Sequence, residues 1–268
     1  MTRIVNNCVA LVCLCLFWGQ SLRAADASHS EQIKWGNESV FNEEHNTLGL
    51  FSGVLGGQIV LAGGTSDDYS RWGRNAVCLS ENAGFALYED VLSKPLAYGA
   101  SITLSDGILC IGGRDSSQCY EDVFFVTMQQ GKLNVSEDWP PLPFPLSNAA
   151  GALLNNKVYL FGGRKSVSPS RLSDSFFVLD LSNKSRGWKE LPGYPGCVRE
   201  DAILVVQNNG VSPCLYLLGG QTETEEGLSS CLTDGYVYNP QLGKWSSLGS
   251  DFPKGICAAV ASGANHIL

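Results

Sequence analysis

Val158-Tyr159-Leu160-Phe161-Gly162-Gly163 is a run of four apolar residues ending on a glycine pair. The arrangement recurs as Ile59-Val60-Leu61-Ala62-Gly63-Gly64, Ile108-Leu109-Cys110-Ile111-Gly112-Gly113 and Leu215-Tyr216-Leu217-Leu218-Gly219-Gly220. Successive pairs are 49, 50 and 57 residues apart. Self-similarity at a fixed period marks a repeat architecture, in which each unit buries its apolar face only against its neighbours.

The flanks repeat as well. Small residues precede each apolar run, at Ser52-Gly53-Val54, Gly99-Ala100-Ser101, Ala149-Ala150-Gly151-Ala152 and Asp201-Ala202-Ile203, with a fifth copy at Cys257-Ala258-Ala259-Val260. An acidic residue leads an aromatic stretch after three of the pairs, at Asp122-Val123-Phe124-Phe125, Asp174-Ser175-Phe176-Phe177 and Asp234-Gly235-Tyr236-Val237-Tyr238. Trp139, Trp188 and Trp245 close those units.

This pattern reads as four antiparallel strands per unit. Small residues suit an innermost strand crowded around an axis. A continuous apolar run suits a second strand buried on both faces. Glycine pairs supply backbone angles that other residues avoid. Aromatic third strands and the tryptophans have the area to fill the space between units.

These residues match the kelch repeat, whose period is about 50. The fold expected is all-β, a kelch-type β-propeller. Leu96-Ala97-Tyr98-Gly99-Ala100-Ser101, Ser147-Asn148-Ala149-Ala150-Gly151-Ala152 and Gly263-Ala264-Asn265-His266-Ile267-Leu268 narrow the likeness. They resemble the cyclically permuted mutarotase family, which is similar to the bacterial N-acetylneuraminate epimerases. The resemblance covers roughly residue 33 onward. It implies six blades in the full-length protein and interconversion of sialic acid anomers.

Adding about 50 residues to Gly220 puts the next glycine pair near residue 270, past Leu268. The expectation is therefore four blades, part of a fifth and no sixth. Trp35 lies 16 residues before Phe51, much as Trp188 lies 13 before Asp201. Residues 25–45 then read as the closing strand of the last blade, which removes an exposed sheet edge.

Residues 1–24 read as a secretory signal peptide: Arg3, the ten-residue apolar stretch Val9 to Trp18, and Leu22-Arg23-Ala24 before a cut at Ala25. The stretch is too short to span a bilayer, so no stable membrane insertion is expected after cleavage. The product is expected to be periplasmic or secreted, with residues 25–268 forming one propeller domain. Without the leader the chain holds 16 basic against 26 acidic residues, a net charge of −10. Such a surface disfavours nucleic acid and anionic membranes, and a sugar acid needs a local basic pocket.

Seven cysteines remain after the leader, with no metal-binding spacing. Cys110 and Cys257 fall in expected inner strands as small hydrophobes, and an oxidising compartment permits a Cys197–Cys231 disulfide. His29, His45 and His266 are scattered. Hydrolase, zinc-protease, phosphate-loop and EF-hand patterns do not occur, so neither a metal nor a redox cofactor is expected.

Strands in a blade alternate direction. The loops entering the first strand and leaving the second therefore share one rim, which collects Tyr98, Asn148, Arg199, Arg114 and Arg164 as candidate substrate-binding residues. Arginine matches a carboxylate bidentately. The competing assignment pairs these arginines with Asp115, Glu200 or Asp201. In the related epimerases the proposed catalytic Glu and Arg lie in an N-G-E-x-x-P-G-x-R type segment after a second strand. Neither Arg164 nor Gln221 introduces such a segment, so the catalytic residues stay unassigned, and this chain is expected to lack them. The resemblance implies an epimerase or mutarotase working by acid/base ring opening. A non-catalytic propeller that binds protein or glycan on the same rim is the alternative. A copper-radical oxidase on this fold needs more histidine than the chain carries.

Overall fold

Each glycine pair terminates the second strand of a four-stranded antiparallel sheet. The computed structural model describes residues 48–80, 84–224, 227–249 and 251–258. The chain divides into a unit of Met1–His45, outside the described residues, and a unit of Asn46–Leu268 to which the following refers. The signal peptide of residues 1–24, the closing strand of residues 25–45 with Trp35, the three histidines and residues 259–268 lie outside the described residues.

The first blade is β1 (Phe51–Leu55), β2 (Gln58–Ala62), β3 (Ala76–Ser80) and β4 (Gly84–Tyr88). The second is β5 (Ala100–Thr103), β6 (Ile108–Ile111), β7 (Val123–Gln129) and β8 (Lys132–Ser136). The third is β9 (Ala150–Leu154) and β10 (Lys157–Phe161), a small ribbon of β11 (Arg164–Ser166) and β12 (Arg171–Leu172), then β13 (Phe176–Asp180) and β14 (Lys189–Glu190). The fourth is β15 (Ile203–Asn208) and β16 (Pro213–Leu218), a second ribbon of β17 (Gln221–Glu223) and β18 (Ser229–Cys231), then β19 (Gly235–Asn239) and β20 (Lys244–Ser247). In every blade the strands pair in chain order and antiparallel, the ribbons standing apart from the blade sheets. This is an all-β propeller arrangement of four blades.

The strand roles follow from composition. β6 is buried at every position, and β10 at all but Lys157. The small inner strands β1, β5, β9 and β15 adjoin in sequence. Their outward N–H groups need partners, and β1 finds them on its neighbour: Ser52 N–H donates to Ser101 Oγ at 3.0 Å and Val54 N–H to Thr103 Oγ1 at 3.2 Å.

The apolar cores lie between blades. Phe51, Val60 and Phe124 belong to the cluster joining blades one and two; Leu109, Leu160 and Phe177 to the next; Phe161, Phe176, Leu217 and Tyr238 to the third. Trp245 of β20 packs at 5.0 Å from Phe176 of β13 in the preceding blade. Trp188 donates its Nε1–H to the Pro140 carbonyl at 3.0 Å, in the connection entering its own blade. Trp139 meets Phe125 at 5.2 Å.

The glycine pairs do more than end a strand. The second glycine donates its N–H to a carbonyl of the next blade's entry: Gly64 to Leu96 at 2.9 Å, Gly113 to Leu146 at 2.8 Å, Gly163 to Arg199 at 2.9 Å and Gly220 to Ile256 at 2.7 Å. The first glycine has positive φ, from 56° to 71° across the four pairs. A Cβ on it would overlap that same carbonyl oxygen in every case. Both the backbone angle and the close approach require glycine.

The last of these latches explains a correction. Leu232 N–H bonds the Gly220 carbonyl and Ile256 N–H bonds the Leu232 carbonyl, at 2.8 and 3.0 Å. Residues 231 and 257 are thereby brought together, and Cys231 pairs with Cys257, Cα to Cα 5.6 Å. The Cys197–Cys231 bond expected from sequence does not form, and Cys257 is a bridging residue rather than a small hydrophobe. Cys197 is free and exposed, while Cys110 is buried on β6 as anticipated.

Candidate functional site at the channel mouth

One residue per blade entry turns the chain from the connecting loop into the inner strand, and each is left-handed. Gly49, Tyr98, Asn148, Asp201 and Ala258 have φ of 65°, 60°, 54°, 51° and 49°. Each donates its N–H to the carbonyl of the one before: Tyr98 to Gly49 at 2.7 Å, Asn148 to Tyr98 at 2.6 Å, Asp201 to Asn148 at 3.0 Å and Ala258 to Asp201 at 2.9 Å. This backbone arc holds non-glycine residues in a conformation that they otherwise visit rarely. Its side chains and the residues that follow them line a cavity of about 200 Å³ at the mouth of the channel.

The residues after the glycine pairs flank the arc. Arg114, Arg164 and Gln221 are bridged by backbone pairing to Ala97, Ser147 and Glu200, each one residue before an arc position. Their side chains meet different fates. Arg114 stacks on Tyr98, with Cζ 4.7 Å from the ring centre, and on Trp72 at 5.1 Å. Its Nη1 donates to the Asp115 carbonyl at 3.3 Å, and it forms no carboxylate pair among the described residues. Burial pushes the Tyr98 hydroxyl well above its ordinary range, so that it stays protonated beside this guanidinium.

Arg164 is committed. Its Nε donates to Glu200 Oε2 at 2.8 Å, while Nη2 reaches Glu200 Oε1 and, at 3.2 Å, Glu223. Hydrogen bonding to Glu200 is the main reason its pKa is raised further. Behind this pair, Asp201 accepts from Asn148 Nδ2 at 2.9 Å and from Gln221 Nε2 at 2.8 Å. Burial nevertheless lifts the Asp201 carboxyl above its ordinary value, with the Glu200 charge adding to the lift. Asn148 Oδ1 is shielded from solvent and accepts no hydrogen bond among the described residues.

Arg199 lies elsewhere. Its backbone is two residues before Asp201, but its side chain is 0% exposed. Both terminal nitrogens donate to Asp234, at 2.7 Å each; Nη1 also reaches the Gly219 carbonyl at 2.7 Å, and Nε the Tyr194 hydroxyl at 2.7 Å. The rings of Tyr194 and Tyr236 lie 5.0 and 5.6 Å from Cζ. Burial opposes the charges of this pair, but the hydrogen bonds prevail, keeping Arg199 charged and the Asp234 carboxyl below its ordinary value. In the preceding blades the same register holds the buried Leu96 and Leu146. Arg199 thus fills an apolar slot inside the blade, and its guanidinium is turned away from the rim where sequence reasoning put it.

The structure therefore brings Tyr98, Asn148 and Arg114 together, sets Arg164 behind them on Glu200, and withdraws Arg199. Sequence reasoning considered Asp201 only as an arginine partner and overlooked Trp72. Asp201 shares its register with Tyr98 and Asn148, and that was a usable signal. Trp72 pairs with Thr65 as Cys119 pairs with Arg114, Leu172 with Arg164 and Cys231 with Gln221, so its register recurs but its aromatic ring does not. Among the described residues, no group of three His, Cys, Asp or Glu side chains is placed to hold a metal ion.

The family model for N-acetylneuraminate epimerase matches residues 139–267. Over those residues this kelch-like propeller is similar to the N-acetylneuraminate epimerase family. N-acetylneuraminate epimerase of Haemophilus influenzae (strain PittEE) is 31% identical over 131 residues, 49% of this chain and 32% of the relative. The epimerase of Yersinia pestis (strain Pestoides F) is 30% identical over 129 residues, 47% of this chain and 30% of the relative. A kelch domain-containing protein of Vibrio cholerae serotype O1 is 31% identical over 121 residues, 45% of this chain and 31% of the relative. The match thus spans about a third of the length of these relatives. The solved structure of YjhT superposes with a TM-score of 0.63 at 14% identity, covering 80% of this chain and 73% of that one. At that identity the likeness is one of fold. Within the epimerase family match fall Asn148, Arg164, Arg199 and Asp201; Tyr98, Arg114 and Trp72 precede it.

Proposed function

We propose that the full-length protein is a carbohydrate epimerase that interconverts the anomers of N-acetylneuraminate, or of a closely related sialic acid, at the channel mouth. The observation that carries this reading is Arg114. Of the three rim arginines it is the one whose guanidinium has no carboxylate partner among the described residues, and it lies over the rings of both Tyr98 and Trp72 beside the cavity. A planar guanidinium fixed on aromatic faces suits a carboxylate ligand. Asn148 and the Tyr98 hydroxyl supply neutral groups for sugar hydroxyls. The reading takes Arg164 and Arg199 as structural, through Glu200 and Asp234. It also takes the protein as exported, cleaved before Ala25, with a single propeller domain that is six-bladed when complete.

The reaction asks little of the protein. A base removes the proton of the anomeric hydroxyl, the bond from the anomeric carbon to the ring oxygen breaks, and an acid protonates that oxygen. The open-chain keto acid turns and recloses on its other face.

One observation favours a second reading, a propeller that binds a partner without chemistry. Glu200, Asp201 and Glu223 crowd the rim next to Arg164, which suits a neutral or basic ligand better than an acid. Exchange spectroscopy on N-acetylneuraminate separates the two. The epimerase reading expects the full-length protein to raise the anomer exchange rate in proportion to its concentration. Exchange left at the buffer rate would replace it with the binding reading.

A further inference from the structure

The connections that enter blades three and four each lay an aromatic ring against the third strand of their own blade. Phe144 meets Phe177 of β13 edge-on, with ring centres 5.4 Å apart, and Tyr194 meets Tyr236 of β19 edge-on at 5.0 Å. Phe124 of β7 stands at the same register. Its partner Cys110, like Leu160 opposite Phe177 and Leu217 opposite Tyr236, is the residue two places before the first glycine of a pair. Blade two departs on the other side of this contact. Leu92-Ser93-Lys94-Pro95-Leu96 aligns with Leu142-Pro143-Phe144-Pro145-Leu146, so Lys94 stands where blade three carries Phe144. The lysine turns aside. Its Nζ bonds both carboxylate oxygens of Asp122, at 3.0 and 3.1 Å, and lies 4.5 Å from the centre of the Tyr120 ring. Phe124 keeps a ring neighbour in Phe51 of β1, 5.2 Å away, but among the described residues it has none from its own entry connection. The space between is a cavity of about 230 Å³ walled by Leu92, Leu96, Phe124, Val135 and Trp139. It shares no lining residue with the cavity at the channel mouth.

We propose that this cavity of blade two binds a small aromatic molecule of one or two fused rings, uncharged or carrying an amine. The proposal does not depend on the epimerase reading. The ligand class follows from the comparison of blades: the ring that Phe144 supplies from within blade three comes here from outside. The size follows from the volume. An apolar cavity of about 150 Å³ takes benzene, and one of about 230 Å³ has room for a fused pair such as indole. Phe124 and Trp139 offer ring faces and edges to such a guest, and the leucine and valine walls take its remaining apolar area out of water. Charge narrows the class. Asp122 and Glu137 also line the cavity beside Lys94, and Lys94 is engaged by Asp122. An aromatic acid is therefore disfavoured, in contrast to the sugar acid proposed at the channel mouth.

Indole is the direct probe. Titrated into isotopically labelled full-length protein and followed by NMR, it should shift the Trp139 side-chain N–H saturably. Phenethylamine should displace it at lower concentration than phenylacetate does. Lys94→Phe supplies the ring from within, as blade three does. It should weaken indole binding at least about tenfold and raise the melting temperature by about 2–4 °C, the gain of a filled cavity. Should Lys94→Phe not fold, Val135→Phe closes the cavity from β8 and carries the same expectation for binding. Indole that leaves Trp139 unmoved, or that binds a folded, filled variant as tightly as the wild type, would overturn the proposal. Phenylacetate displacing indole better than phenethylamine would overturn the charge preference. Saturation of Trp139 by a phenylalanine-bearing peptide and not by indole would overturn the small-molecule assignment and give the cavity to the side chain of a partner protein.

Discussion

Arg114 and Arg199 sit in adjoining stretches of the same repeat grammar, yet one is presented to the channel mouth and the other is sealed inside its blade. Arg114 follows a glycine pair, and its side chain lies over Trp72 and Tyr98 and reaches the Asp115 carbonyl. Arg199 precedes an arc residue in a register that buries leucine in blades two and three, and there it meets Asp234. The contrast teaches that a repeat dictates where the backbone goes, while the fate of a charged side chain depends on whether a carboxylate waits inside the blade.

The largest effect should come from breaking the sealed corner. Asp234→Ala strands a fully buried guanidinium and should cost about 3–5 kcal/mol in chemical denaturation. Arg199→Leu restores the residue type of the earlier blades and should cost far less, since replacing a buried ion pair by apolar side chains is often neutral. The two variants also differ in acid. The Asp234 carboxyl is held below its ordinary value by Arg199. Its contribution is therefore present above the unfolded carboxyl value of about 4 and is lost as pH falls through the lower folded value. Arg199→Leu should remove that part of the acid dependence. If Arg199→Leu destabilises as much as Asp234→Ala, the apolar-slot account of the register is wrong.

A smaller effect tests what holds Arg114 in place. Gly112 stands two residues before it, at φ 63°, with the Leu146 carbonyl where a Cβ would go. Gly112→Val combines left-handed strain of about 1–2 kcal/mol with disturbance of a buried backbone bond worth about 1–3 kcal/mol. Gly131 has a similar φ of 74° but open space around it, so Gly131→Ala should show the strain alone, about 1–2 kcal/mol. Equal melting losses would mean that the glycine pairs are required for their angles and not as latches between blades.

Much of the fold is legible in the sequence because apolar runs, small-residue runs and glycine pairs recur at one period, and each has a single structural use. The latch itself is not legible, since it depends on a carbonyl 32 to 36 residues away in the chain. The channel-mouth residues Tyr98 and Asn148 are legible from register. Aligning Arg199 with Leu96 and Leu146 would also have exposed it as a core position. What register cannot supply is the environment. Asp201 looks like one more loop aspartate until burial and two amide donors are seen around it, and Trp72 stands at a register where the other blades carry Cys119, Leu172 and Cys231. The cysteine pairing fails for the same reason, because the Cys231–Cys257 contact is made by the latch of the fourth blade.

The central claim is that Arg114, and not Arg199, faces the ligand. Anomer exchange of N-acetylneuraminate, followed by NMR for the full-length wild type, Arg114→Leu and Arg199→Leu, tests it most directly. A lost charge-assisted contact of about 1.5–3 kcal/mol corresponds to roughly ten- to hundredfold in sugar affinity. The account expects that loss for Arg114→Leu, with Arg199→Leu close to wild type. Full activity in Arg114→Leu together with loss of sugar affinity in a folded Arg199→Leu would contradict it.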